Sequence, residues 1–186
     1  MAVLLNELFF PKYDPHTASL LSSFVFCSIF VFRPLGALLF GWLGDNIGRK
    51  ITVIITTFIM AVSCIIMANL PTYAQAGITA SCLVTLCRIA QGMSSMGEIV
   101  GAEIYVTEIT DPPMQYPAVM LIAIFSIVGG TAALGVASLV TSHGFDWRKA
   151  FWIGAVTAVV GMVARTKLRE TPDFADAKRG GARKFF

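Results

Sequence analysis

Residues 51–87 read ITVIITTFIMAVSCIIMANLPTYAQAGITASCLVTLC, and no residue between Lys50 and Arg88 carries a charge. A bilayer span needs about 20 apolar residues. The stretch therefore holds two spans, split at Pro71-Thr72-Tyr73, where proline interrupts the helical hydrogen-bond ladder. Three more charge-free stretches lie between Asp14 and Arg33, between Asp111 and Asp146, and between Lys149 and Arg165. Of 186 residues, 56% are hydrophobic and 13% charged, where soluble domains carry roughly a quarter charged. Mean hydropathy is +0.74. These values exclude a disordered chain and an ordinary water-facing globule. The formal charge of +3 is modest, and its placement does not suggest nucleic acid.

The spans are read over residues 19–43, 51–70, 78–104, 118–140 and 150–164. Backbone polar groups inside a bilayer must be paired within the segment, so these lengths are helices. Residues 2–10 form a stub too short to cross, broken by Glu7. The expected organisation is 1–17 as the remnant of a first transmembrane helix and an external loop, 18–165 as five transmembrane helices, and 166–186 as a basic tail. Five crossings alternate sides. One side collects Arg49, Lys50, Arg165, Lys167, Arg169, Lys178, Arg179, Arg183 and Lys184; the other holds Lys12, Arg148 and Lys149. Lys and Arg favour the cytoplasmic face, so the first side is expected there, with the carboxy-terminal tail.

Enzyme chemistry finds no foothold. The sequence has no phosphate loop, nucleophile elbow or metal-helix motif. Cys27, Cys64, Cys82 and Cys87 lie inside spans without metal-ligand spacing, and His16 and His143 sit singly at span ends. No cofactor and no metal is expected.

The informative residues are polar ones in apolar places. The first group is Gly41-Trp42-Leu43-Gly44-Asp45-Asn46-Ile47-Gly48-Arg49-Lys50. Gly48 permits a sharp turn between two helices. Asp45 closes one span and Arg49-Lys50 opens the next. Asp45 can reach Arg49, four residues on, and Glu108 lies at the end of the span over 78–104 on the same side, so Arg49 can sit between two carboxylates. The second group lies on the span over 78–104, where Arg88, Gln91, Ser95 and Glu98 share one helical face. Gly92, Gly97 and Gly101 let a neighbouring helix approach closely. A charge inside a span marks a substrate or ion pathway, or else a structural ion pair. Arg88 and Glu98 are ten residues apart, about 15 Å along the axis, and cannot pair directly. Glu98 is then a candidate proton carrier, with Glu103 a weaker one. Arg33 lies roughly 18 Å deeper than Asp45, near mid-bilayer, before Pro34. It either faces the bundle interior and binds a substrate carboxylate, or pairs with Glu98 or caps a helix break.

The first group resembles the loop signature of the major facilitator superfamily, Gly-x-Leu-x-Asp-x-x-Gly-Arg-Lys. Arg88-x-x-Gln91-Gly92, then Gly and a distal Glu, resembles that superfamily's fourth-helix signature. A narrower resemblance, to the metabolite:proton symporter family of the proline/betaine transporter type, rests on four features. They are Arg33-Pro34-Leu35-Gly36, Gly97-Glu98, Trp147-Arg148 with Phe151, and Leu168-Arg169-Glu170-Thr171-Pro172 with Phe174. Three features depart from that pattern: a basic pair is missing from 114–117, a basic residue is usual at Asn46, and Glu103 replaces a small residue.

The resemblance implies an all-α polytopic transmembrane helix bundle, a partial six-helix half of a facilitator transporter. The family carries a complete first helix and a second six-helix half, so the chain reads as a truncated amino-terminal half. The implied activity is proton-coupled symport of a small osmolyte or organic acid. Arg33, Arg88, Gln91 and Glu98 would form the substrate and proton pathway. Gly41, Asp45, Gly48, Arg49, Lys50 and Glu108 would form a cytoplasmic latch. Implied partners are membrane lipid, the small-molecule substrate with protons, and a second chain supplying the other half. The competing reading is an inactive or structural membrane fragment of such a transporter.

Overall fold

A computed structural model describes residues 15–142 and 146–168. The expected amino-terminal stub, His143 and the tail beyond 168 lie outside the described residues. The described elements, in order, are helices α1 (Pro15–Ile47), α2 (Arg49–Asn69), α3 (Tyr73–Ala76), α4 (Ile78–Ile109), α5 (Gln115–Ser142) and α6 (Trp147–Thr166).

The helices overrun the apolar stretches that announce them. α1 has 33 residues and α4 has 32, each about 50 Å long, more than a ~30 Å hydrocarbon core requires. Charged side chains near a helix end do not stop the backbone; backbone breakers do. Gly48, at φ 111°, separates α1 from α2. Residues 71–75, expected as a turn, contain the start of the single-turn α3, which stops at Gly77 with φ 59°. Among the described residues, three stretches are long and apolar enough to cross a bilayer: α2, Gln115–Leu139 within α5, and α6. α4 has the length but carries Arg88, Glu98, Glu103 and Glu108.

α2 packs on α6 and on α4, α4 packs on α1, and α5 flanks α4 and α6. The α1–α4 seam is tight because glycine lines it. A Cβ on Gly36 would lie 2.6 Å from the Met93 backbone, and one on Gly97 would lie 2.5 Å from the Phe40 ring. Gly101 likewise admits Val53 of α2. Gly92 is buried. Small residues let helices approach where lipid offers no hydrophobic drive. A cluster of buried residues closes the end of the bundle opposite Gly48, with Met67, Leu70, Val84, Cys87, Trp147 and Phe151 at its centre. α5 exposes apolar side chains along its length, among them Leu121, Phe125, Ile127 and Leu134.

Candidate functional site

The α1–α2 turn positions the first site. Gly48 takes a backbone angle that L side chains rarely adopt, yet its N–H still donates to the Gly44 carbonyl at 3.1 Å. Its own carbonyl accepts from the Thr52 amide and hydroxyl. One residue thus redirects the chain with its polar groups satisfied. Arg49 then reaches two carboxylates, Nη2 to Asp45 Oδ1 at 2.7 Å and Nε to Glu108 Oε1 at 3.1 Å. Gly44 makes room: a Cβ there would stand 2.7 Å from Arg49 Nη1. The Arg49 and Glu108 side chains are 15% and 17% exposed and Asp45 66%, so the Glu108 contact is the better shielded one. Glu108 Oε2 is buried with no hydrogen-bond partner among the described residues. The structure thus brings Asp45, Gly48, Arg49 and Glu108 together, with Gly41 lining the adjacent space. Lys50 is half-buried beside them. Asn46 turns back to the Trp42 carbonyl. The pocket between Gly41, Arg49, Thr52 and Gly101 measures about 10 Å³, room for a single water rather than an osmolyte.

The polar face of α4 forms the second site. Gln91 Nε2 lies 3.5 Å from Cys64 Sγ on α2. The Arg88 guanidinium sits 5.9 Å from the Phe151 ring centroid on α6. Glu98 Oε1 accepts from the Thr57 hydroxyl at 2.7 Å and is paired with Arg165 Nη1, which also donates to Thr57. Arg88, Gln91 and Glu98 therefore make their contacts with α2 and α6. The other flank of α4 meets α1 through Gly97 and Phe40.

One placement corrects the sequence reading, and a second bears on an alternative it left open. Arg165 was expected as one more basic residue of the surface tally, but it turns back from the last turn of α6 to Glu98. Arg33 does not take that carboxylate. Its guanidinium lies 4.8 Å from the Phe30 ring centroid one turn earlier, with Nε buried and no hydrogen-bond partner among the described residues. Sequence reasoning also missed Thr57. A signal existed: Thr52 and Thr56 stand one turn apart within an apolar span, with Thr57 next to Thr56, and all three are buried. Nothing in the spacing tied residue 165 to residue 98.

At the opposite end, Asp146 caps α6, its Oδ1 accepting from the Arg148 amide at 3.2 Å. Trp147 and Phe151 meet edge to face at 6.0 Å. Arg148 Nη2 donates to the Leu70 carbonyl at 3.3 Å, satisfying a group that the end of α2 leaves open. The Trp-Arg-x-x-Phe pattern thus docks α6 onto the end of α2.

Long apolar helices, glycine seams and charges held between helices define a polytopic helical membrane protein. The family model described as "Sugar (and other) transporter" matches residues 1–184, and the chain belongs to that family, within the major facilitator superfamily. It is similar to a proline/betaine transporter of Salmonella typhimurium, 35% identical over 181 residues, covering 94% of this chain and 36% of the relative. An inner membrane metabolite transport protein of Escherichia coli is 34% identical over 180 residues, covering 92% and 41%. A glycine betaine/proline/ectoine/pipecolic acid transporter of Dickeya dadantii is 33% identical, covering 94% and 36%. Among solved structures, the xylose transporter of E. coli in a partially occluded inward-open conformation superposes with TM-score 0.79 at 17% identity, covering 95% of this chain and 45% of that one. A D-xylose-proton symporter gives 0.73 at 17% identity, covering 98% and 46%. At that identity the likeness establishes the fold. The chain spans about two-fifths of the length of the relatives it matches and under half of each solved structure.

Proposed function

We propose that these residues form the amino-terminal half of a proton-coupled secondary transporter for a small osmolyte or organic acid of the proline/betaine kind, in the cell's inner membrane. The observation that carries this reading is identity of 33–35% to relatives named for such transport, across more than nine-tenths of the chain. The distribution of Lys and Arg supports a cytoplasmic position for the Gly48 turn and the carboxy-terminal tail. Facilitator transporters bind substrate near the bilayer midplane between two halves. This chain then supplies one wall, and the other wall comes from a second six-helix unit. Arg33, whose Nε has no protein acceptor among the described residues, suits a substrate carboxylate. Glu98 suits the coupled proton, and the Asp45–Arg49–Glu108 cluster suits a cytoplasmic latch.

The test is uptake of labelled proline and betaine into proteoliposomes with an imposed proton gradient. The expected result is no accumulation by the 186 residues alone, and accumulation when a second half of proline/betaine type is present. In that pair, Glu98→Gln should abolish uphill uptake and leave exchange. Robust uptake by the chain alone would overturn the half-transporter reading. No uptake with any second half would favour the inactive-fragment reading.

A further inference from the structure

The Thr57 hydroxyl has more partners than one state can use. It lies 2.7 Å from Glu98 Oε1 and 2.8 Å from the Val53 carbonyl, and it accepts from Arg165. A hydroxyl carries one proton and two acceptor lone pairs. It can donate to Glu98 or to Val53, never to both at once. Each choice matches one protonation state of the carboxyl. With Glu98 ionised, Thr57 donates to Oε1 while Arg165 donates to both. With Glu98 protonated on Oε1, the new O–H donates to Thr57 Oγ1, and the Thr57 proton rotates onto the Val53 carbonyl. Thr57 then accepts from Glu98 and Arg165 together, which fills its two lone pairs.

We propose that Thr57 and Arg165 are the positioning residues of a proton toggle at Glu98, which exchanges a proton without leaving a buried polar group unpaired and leaves the Arg165 charge without its ionic partner when it does so. This deepens the proton-carrier reading of Glu98 and rests on it. A solvent proton adds to the carboxylate, no other bond breaks, and the cluster passes from net zero to one positive charge. Arg165 thereby loses its ionic partner. Its side chain is 29% exposed and sits in the last turn of α6, so water can solvate the uncompensated charge while Arg165 still donates to Thr57. The other described ionisable groups on the helices around Glu98 are Cys27, Arg33 and Asp45 on α1, Arg49, Lys50 and Cys64 on α2, Tyr73 on α3, Tyr116 on α5, and Arg148 and Lys149 at the far end of α6. On α4 itself, Cys82, Cys87, Arg88, Glu103, Tyr105 and Glu108 lie at least a turn away. Arg165 is the group the structure pairs with Glu98. An unpaired buried acceptor is what ordinarily opposes protonation changes inside a span. Here Thr57, itself 2% exposed, supplies a partner in either state.

The experiment is pH-titrated infrared difference spectroscopy of the full chain in lipid, read at the protonated-carboxyl C=O stretch. Glu98→Gln identifies the band, and the readout needs no transport. In the wild type the Glu98 band should titrate reversibly. Arg165→Gln should displace its midpoint by about tenfold in proton concentration or more. Thr57→Val, which preserves volume, should displace it and also shift the band frequency, while Thr57→Ser restores both. Far-UV circular dichroism establishes that each variant is helical. A wild-type chain with no titrating band at Glu98 overturns the proton-carrier reading and the toggle with it. A titrating band left unmoved by Arg165→Gln and Thr57→Val overturns the toggle alone.

Discussion

Two glycines on α1 give opposite signs to the same substitution. Gly36 is buried, and a methyl group on it would lie 2.6 Å from both the Cα and the carbonyl oxygen of Met93. Carbon atoms rest at about 3.5–4.0 Å, so α1 and α4 would have to part by about 1 Å. The obstacle is backbone, with no rotamer to yield. Overpacking a core costs about 1–3 kcal/mol, and Gly36→Ala belongs at the upper end. At Gly41 the same methyl meets nothing within 4 Å. Gly41→Ala then only removes the excess freedom of a helical glycine, a gain of roughly 0.5–1 kcal/mol. The two variants should differ by about 3–4 kcal/mol in opposite directions. The assay is unfolding of the full chain in mixed micelles by titrated SDS, followed by circular dichroism. Gly36→Ala as stable as Gly41→Ala would refute the α1–α4 seam. Gly41 also belongs to the loop signature, so uptake by the two-half transporter is a second readout. A Gly41→Ala chain that is more stable yet inactive would assign that glycine to an approaching helix of the other half.

Arg49→Met should destabilise the chain by about 1–3 kcal/mol by leaving the Glu108 carboxylate buried and unpaired, while Asp45→Asn should cost under about 1 kcal/mol because that pair is solvent-exposed; SDS titration distinguishes them, and equal costs would refute the assignment of Glu108 as the shielded partner. Trp147→Ala should cost about 3–5 kcal/mol by hollowing the cluster around Met67 and Phe151, and Asp146→Ala about 1 kcal/mol through the lost cap; a neutral Trp147→Ala would show that α6 does not dock there. Arg33→Cys, in a chain freed of its four cysteines, should react with a water-soluble thiol reagent in the two-half transporter and be protected by substrate. Complete protection without substrate would refute a cavity-facing Arg33.

Long charge-free stretches made the helices legible, because a bilayer admits few alternatives. Their ends were less so. Asp45 and Glu108 were read as closing spans, yet α1 runs to Ile47 and α4 to Ile109. In each case a helical turn beyond the apolar stretch keeps its backbone bonds while its charges pair with Arg49. That cluster was readable because two of its members are four residues apart and the third ends a span on the same side. The face shared by Arg88, Gln91 and Glu98 was readable from helical periodicity, but what it meets was not. Periodicity says which residues share a face, not which helix lies against it. The Glu98–Arg165 pair joins residues 67 positions apart, with no local pattern to announce it.

The described polar links are unevenly spread, and that has a mechanical consequence. Glu98, Thr57 and Arg165 tie α4, α2 and α6 together at one level. Ser94 adds a bond to the Thr56 carbonyl, and Gln91 meets Cys64. At the far end Arg148 joins α6 to α2. Hydrogen bonds and ion pairs shielded from water are directional, and displacement breaks them outright. The seam between α4 and α1 is different: Gly36 against Met93 and Gly97 against Phe40 are van der Waals contacts. Such contacts trade one neighbour for the next when helices slide. Arg49 is one described polar tie of α1 to the rest, and its hydrogen bond to Asp45 lies at the exposed end. The described polar links thus join α2, α4 and α6 to one another, while the α1–α4 seam is lined by glycine. Arg33 is on α1, whereas Arg88, Gln91 and Glu98 are on α4. A shift of α1 along that seam would move the candidate substrate residue relative to the candidate proton residue while leaving the bonds of the Glu98 cluster in place.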